Sequence, residues 1–317
     1  MDEFSLIDHF FKPLASKRED VLLGIGDDAA CVRVPQGKNL LVSTDTLVAG
    51  VHFLPHWDAY DIACKSVMVN VSDMAAMAAE PCWVTLALTL PELDKNWLAS
   101  FARGLKDSFS PYNLTLIGGD TTHGPLSITL TILGTAAEGQ TVLRSGAKPG
   151  DIIVLSGDLG AAALAIKFLD HKELSQPEKT ELMNKLLHPV PRVDLINILR
   201  NYATAAIDIS DGLSADLNHI CVASGVGACL NKEAIPVHRL LKKYCADEAV
   251  DLALTGGDDY ELCFTVPEHR LSSLMNEFQN AHLHCYPIGV IEKASGLRIK
   301  DANNQCHNLI PAGYTHF

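Results

Sequence analysis

Short apolar runs, many of them β-branched, recur along the chain at Val21-Leu23, Leu40-Ser43, Val67-Val71, Trp83-Leu90, Leu114-Ile117, Ser127-Leu133, Ile152-Leu155, Ala205-Ile209, Cys263-Val266 and Pro287-Ile291, and each predicts a strand. Between them, apolar positions at helical spacing predict helices over Asp61-Ala79, Lys95-Ser110, Ala161-Asp170, Pro177-Leu187, Arg192-Asn201, Ser214-Ser224 and Arg270-Gln279. The run Val67-Val71 satisfies both patterns. The fold class that follows is α/β with mixed sheets.

The segment Arg144-Ser-Gly-Ala-Lys-Pro-Gly-Asp151 concentrates turn formers and charge just before a new strand, which places a domain boundary there and gives domains of residues 1–143 and 144–317. Each half carries a Gly-Gly-Asp after an apolar run, Leu116-Ile-Gly-Gly-Asp120 and Leu254-Thr-Gly-Gly-Asp258. With 317 residues, 48% of them apolar, the chain can fill two cores, and no tract has the composition of disorder. No basic leader opens it and no apolar stretch reaches the ~18 residues a bilayer requires, so a cytoplasmic protein is expected, with no membrane partner. Nine scattered cysteines without a Cys-x-x-Cys pair argue against a disulfide scaffold or a zinc ribbon. A net charge of −13 would repel a nucleic-acid backbone. Converging carboxylates can nevertheless bind divalent cations, and those cations can bind polyphosphate.

Acids of this kind are present. Asp residues stand at the ends of strand-like runs beside Gly, Ser or Thr: Gly26-Asp27-Asp28, Ser43-Thr44-Asp45-Thr46, Asn70-Val71-Ser72-Asp73, Gly118-Gly119-Asp120-Thr121, Asp208-Ile209-Ser210-Asp211-Gly212 and Gly256-Gly257-Asp258-Asp259. Any one alone is better explained as a turn or a helix cap. Together they favour a site for Mg2+, which takes hard oxygen ligands and shares them with substrate phosphates.

Rival motifs fail on context. Gly24-Ile25-Gly26-Asp27-Asp28-Ala29 nearly matches the dinucleotide fingerprint, with Asp45 about twenty residues on. That fingerprint requires a helix after the glycines, whereas Ala30-Val34 reads as a strand and Pro35-Asn39 as a turn. No Gly-x-x-x-x-Gly-Lys-Ser/Thr, His-Arg-Asp, Asp-Phe-Gly, His-Glu-x-x-His or Gly-x-Ser-x-Gly occurs.

In order along the chain, Gly-Ile-Gly-Asp-Asp-Ala, Ser-Thr-Asp-Thr-Leu-Val-Ala-Gly-Val-His-Phe, Asn-Val-Ser-Asp-Met-Ala-Ala-Met, Leu-Ile-Gly-Gly-Asp-Thr-Thr, Arg-Ser-Gly-Ala-Lys-Pro-Gly-Asp, Ile-Asp-Ile-Ser-Asp-Gly-Leu and Asp-Tyr-Glu-Leu resemble the bacterial thiamine-monophosphate kinase family, within the aminoimidazole ribonucleotide synthetase superfamily. The resemblance implies a two-domain fold: an N-terminal domain that binds ATP and Mg2+ and dimerises through its sheet, and a C-terminal α/β domain. It implies a homodimer that transfers the γ-phosphoryl of ATP to thiamine monophosphate, with several Mg2+ ions. By the same resemblance Asp27, Ser43, Thr44, Asp45, Asp73, Asp120, Asp208 and Asp211 are metal ligands. Tyr112, Gly119, Asp120, Arg144 and Ser210 are implied nucleotide contacts, and His52, Asp258 and Tyr314 contacts to the thiamine substrate. Two positions depart from the family pattern: Asp258 where most members carry Glu, and Ala78 where they carry Gly. A phosphate acceptor is already anionic, so no essential side-chain base is expected. The alternatives are another ATP-dependent enzyme of the superfamily with a different acceptor, or a non-catalytic metal- or nucleotide-binding protein.

Overall fold

The computed structural model describes residues 3–169 and 174–316. Two compact units emerge, Met1–Met74 with Ala79–Gln140, and Ala75–Ala78 with Thr141–Phe317.

In the first unit α1 (Glu3–Leu6) runs into a π-helical turn, Ile7–Phe11, and β1 (Val21–Leu23) pairs antiparallel with β2 (Cys31–Val32). No helix follows the glycines of residues 24–29, so the dinucleotide reading is excluded structurally as well. Four strands form the main sheet: β3 (Lys38–Val48), β4 (Glu80–Leu90), β5 (Thr115–His123) and β6 (Ser127–Ala137), in the order β3-β6-β4-β5. The helices are α2 (Ala59–Ala76) and α3 (Lys95–Phe109), which starts where the Asp94 side chain accepts the N–H groups of Asn96 and Trp97. The strand expected at Val67-Val71 does not form, because these residues lie inside α2. Val67, Val69 and Val71 are all buried, so this stretch of helix is apolar on several sides and its periodicity mimics a buried strand.

Alternation along β3 sets two faces. Leu41 and Leu47 are buried and share their face with Ser43 and Asp45, opposite Ile128, Leu130 and Ile132 of β6. Gly134 of β6 lies against Met74 of α2, where a Cβ would stand 2.6 Å from its Sδ. The other face carries exposed Leu40 and Val42, then Thr44 and Thr46, hydrogen-bonded to Thr131 and Thr129 at 2.8 and 2.9 Å.

The second unit holds a seven-stranded sheet of β7 (Asp151–Leu155), β8 (Ala205–Asp208), β9 (Gly227–Asn231), β10 (Leu262–Pro267), β11 (Tyr286–Glu292), β12 (Gly296–Lys300) and β13 (Cys306–Leu309). Its order is β13-β12-β9-β11-β7-β10-β8; the β12–β9 pair is parallel and the others antiparallel. Helices α4 (Ala161–Lys167), α5 (Gln176–Leu187), α6 (Ile196–Tyr202), α7 (Leu213–Ser224), α8 (Arg239–Tyr244), α9 (Ala249–Thr255) and α10 (Leu271–Asn280) complete it. The helix expected to reach Asp170 ends at Lys167, and Asp170 lies outside the described residues. Phe264, Leu262 and Val266 of β10 pack with Leu199 of α6 and with Leu274 and Phe278 of α10 in one core cluster. Among the described residues no helix is long and apolar enough to cross a membrane.

Candidate active site

In the first unit the loop after β1 and the glycine-rich middle of β5 wall a cavity of about 680 Å³, lined by Gly26, Asp27 and Asp28 from the loop and by Gly118, Gly119, Asp120 and Thr121 from β5. Asp27 turns its Oδ1 back to accept the Asp28 backbone N–H at 2.9 Å, which shapes the loop and leaves both acids exposed. Gly119 has φ +154, and a Cβ there would lie 1.9 Å from the Leu86 carbonyl oxygen on β4. Only glycine lets β4 and β5 approach at this point.

A second cluster in the same unit joins β3 to α2. Ser43 Oγ donates to Asp73 Oδ2 at 2.5 Å. Asp45 shares the face of Ser43; burial and then the Asp73 carboxylate push its carboxyl up to about 7. Asp45 lies mid-strand, Asp73 lies in a helix and Asp120 lies within β5, so the strand-end placement expected of them is corrected. Thr44 is on the opposite face, bonded to Thr131, so towards Asp45 it can offer only its backbone carbonyl. His52 Nδ1 accepts the Val48 backbone N–H at 3.0 Å, which fixes Nδ1 as the unprotonated ring nitrogen. The Tyr112 hydroxyl points at Met68 Sδ, 3.6 Å away.

In the second unit Asp208 ends β8 and is 5% exposed. The loop after it, Ser210-Asp211-Gly212, is tied to two other segments by backbone bonds. Asp258 N–H donates to Ser210 O at 2.9 Å, and Tyr314 N–H donates to Asp211 O at 3.0 Å. Gly257 and Gly313 permit these approaches: a Cβ on either would meet Ser210 O at 2.2 Å or Asp211 O at 2.5 Å. Ser210, Asp211, Asp258 and Tyr314 are thus brought together, with Asp208 three residues from Asp211. Asp258 takes φ +66, a conformation Asp tolerates better than most residues, and its Oδ1 accepts the Tyr260 hydroxyl at 3.1 Å. Arg144 is not brought to this loop. Ala206 N–H donates to Leu143 O and Gly146 lies against Thr204, so exposed Arg144 flanks the N-terminal end of β8, away from Asp208.

Sequence reasoning passed over Asp216. Its Oδ2 accepts the backbone N–H groups of Ser210, Asp211 and Gly212 at 3.1, 3.1 and 3.0 Å. The available signal was an acid in the first turn of a helix that directly follows the Ser-Asp-Gly loop. Asp28, which lines the first unit's cavity beside Asp27, was likewise left without a role.

Among the described residues no three His, Cys, Asp or Glu side chains converge tightly enough to hold an ion by themselves. The donors present are carboxylates and hydroxyls, and the Asp45–Asp73 pair carries repulsion that a cation would relieve. This donor set fits Mg2+, which uses one or two protein carboxylates and takes its remaining ligands from water and phosphate.

Residues 26–136 match the family model "AIR synthase related protein, N-terminal domain", and residues 148–302 match "AIR synthase related protein, C-terminal domain". These matches set the class: a two-domain AIR synthase related protein. A thiamine-monophosphate kinase of Salmonella typhimurium is 49% identical over 270 residues, covering 84% of this chain and 83% of that one. The crystal structure of thiamine-monophosphate kinase from Stenotrophomonas maltophilia K279a is 41% identical with a TM-score of 0.87, covering 94% of this chain and 96% of that one. A further structure, described as "AaThiL complexed with AMPPCP and TMP", is 34% identical with a TM-score of 0.80, covering 99% and 97%. The chain belongs to the thiamine-monophosphate kinase family.

Proposed function

We propose that this chain transfers the γ-phosphoryl group of ATP to the phosphate of thiamine monophosphate, yielding ADP and thiamine diphosphate. The observation that carries the reading is whole-length likeness to a structure described with AMPPCP and TMP, at 34% identity over 99% of the chain. A phosphate oxygen of thiamine monophosphate attacks the γ-phosphorus, the bond from that phosphorus to the β–γ bridging oxygen breaks, and ADP leaves with the electron pair. The acceptor oxygen already carries charge at neutral pH, so no side chain has to remove a proton.

Asp27, Ser43, Thr44, Asp45, Asp73, Asp120, Asp208 and Asp211 are proposed to hold several Mg2+ ions, Thr44 through its carbonyl. Bound Mg2+ would neutralise phosphate charge and orient the two phosphates in line. Gly119 and Asp120 border the cavity where backbone can approach the nucleotide, and Tyr112, Ser210 and Arg144 are proposed nucleotide contacts. Arg144 would have to extend from the far end of β8 to serve. His52, Asp258 and Tyr314 are proposed to hold the thiamine moiety and its phosphate, with the Tyr314 ring, met edge-on by the His316 ring at 4.9 Å, stacking on the aromatic heterocycle.

We further propose a homodimer formed through the open face of the first unit's sheet, where Leu40 and Val42 stand 43% and 58% exposed beside a row of threonines. Incubation with ATP, Mg2+ and thiamine monophosphate, with products separated chromatographically, tests the function. Thiamine diphosphate is expected in amounts equal to ADP. ADP without thiamine diphosphate would point to a different acceptor, and neither product would point to a binding protein.

A further inference from the structure

The Ser210-Asp211-Gly212 loop has an unusual anchor. Gly212 stands at the N-cap of α7 with φ +125, and no side chain caps the helix from that position. The three N–H groups of the loop turn instead to a single carboxylate oxygen four residues on, Asp216 Oδ2, whose residue is 2% exposed. The opposite, carbonyl side of the same loop receives the N–H groups of Asp258 and Tyr314. One buried carboxyl group thus ties down the N–H side of the loop whose carbonyls receive Asp258 and Tyr314, while Ile209, just before the loop, is paired with Glu261 and Tyr260 through the backbone. A carboxyl oxygen accepting three backbone donors suits this task, because donors and acceptor satisfy one another where they are buried.

We propose that Asp216 is the positioning residue of this site: it touches neither substrate nor nucleotide, and it holds the 210–212 loop in the one shape that presents Asp211 together with Asp258 and Tyr314. The proposal rests on the functional reading given above for its kinetic consequence, but not for its structural one. Misplacement of Ser210 and Asp211 would fall on the nucleotide and its metal, and misplacement of Asp258 and Tyr314 on the acceptor.

The test compares Asp216→Ala, Asp216→Asn and Cys221→Ala, the last removing a buried group further along the same helix. Hydrogen exchange is followed by mass spectrometry on the peptide containing residues 210–212, alongside steady-state kinetics. In Asp216→Ala that peptide is expected to exchange at least about tenfold faster than in the wild type, because local opening no longer breaks three anchored bonds. Its kcat/KM for thiamine monophosphate is expected to fall about a hundredfold, the scale of a small misplacement of reacting groups, with losses in kcat and in the KM of both substrates. Asp216→Asn keeps a neutral acceptor oxygen and should lose less than about tenfold. Cys221→Ala should lower the melting temperature while leaving both readouts at their wild-type values. Wild-type exchange of the loop in both Asp216 variants would overturn the proposal, as would a loosened loop with unchanged acceptor kinetics. If the wild type itself makes no thiamine diphosphate, the functional reading fails, and the exchange rates still decide whether Asp216 anchors the loop.

Discussion

The α-carbon of Gly119 faces the carbonyl oxygen of Leu86 so closely that a Cβ would stand 1.9 Å from it, at a point where β5 and β4 run parallel and Asp120 enters the cavity. Its neighbour Gly118 has nothing within 4 Å of an added Cβ. The two glycines therefore separate the ordinary effect of adding a Cβ from the combined strain of φ +154 and a blocked approach at Gly119. Gly119→Ala is expected to lower stability by about 2 kcal/mol or more and to weaken ATP binding, since the strands must part beside Asp120. Gly118→Ala should change stability by less than about 0.5 kcal/mol, as surface substitutions generally do. Urea midpoints with nucleotide titrations check both, and equal effects would remove the steric argument.

Ala78 takes φ +54 and is fully buried, which accounts for the glycine that the family pattern places there. An L-residue in this conformation carries a cost of about 1–2 kcal/mol, which Ala78→Gly would relieve while losing a buried methyl group worth about 0.8 kcal/mol. The net change should lie within about 1 kcal/mol of zero. Ala63→Gly, at a fully buried position inside α2, has no strain to relieve and should cost about 2 kcal/mol from lost helix propensity and lost methyl burial together. Thermal or urea unfolding of the pair decides the matter, and equal losses would show that Ala78 is unstrained.

Three carboxyls give the metal-free protein a definite pH dependence. Asp45 is pushed up to about 7 by burial and then by Asp73. Asp216 is pushed up to about 7 by burial and then by Asp211, and Asp259 to about 8 by burial, with Glu261 and Asp158 adding to it. Each binds a proton in the native state where the unfolded chain has lost it, so stability falls as pH rises from about 4 towards about 8. Burial pushes His238 down, which acts in the opposite sense below about 6.5, so a variant comparison is needed to isolate one group. Asp45→Asn should flatten the fall measured in EDTA by up to about 1.4 kcal/mol per pH unit within its window. Mg2+ should then stabilise the wild type more at pH 8 than at pH 5.5, because metal binding requires the ionised carboxylate. A profile unaffected by Asp45→Asn would refute the assignment.

What the sequence made legible follows from how local each signal was. Strands with several apolar residues and clear boundaries, such as Trp83-Leu90 and Ser127-Leu133, lie within β4 and β6. Gly227–Asn231, Gly296–Lys300 and Cys306–Leu309 were not anticipated, because each is short and β12 and β13 carry partly exposed polar residues; their pairing in the sheet, rather than propensity, makes them strands. The acids of the site were visible as types beside glycines, yet their setting was not. Asp45 and Asp73 meet only because β3 and α2 pack together, and Asp216 is joined to Ser210 by a backbone geometry that no spacing rule displays.

Asp258 offers the sharpest test of the acceptor assignment. Its backbone is fixed by the Ser210 carbonyl and its carboxylate by the Tyr260 hydroxyl, so removal of the side chain keeps the backbone anchor and adds about 1 kcal/mol of strain at φ +66. If the carboxylate contacts thiamine monophosphate directly or through one water, Asp258→Ala loses a hydrogen bond to a charged group, about 1.5–3 kcal/mol, and raises the acceptor KM by about tenfold or more. The ATP KM should stay near the wild-type value. Asp258→Glu restores the residue that most of the family carries and extends the carboxylate by one methylene, but it places a residue less tolerant of φ +66 in a strained loop. A lower acceptor KM with a slightly lower melting temperature is therefore expected. Steady-state kinetics with each substrate varied in turn provide the check. A rise in the ATP KM in place of the acceptor KM would move Asp258 from the acceptor to the nucleotide side of the reaction.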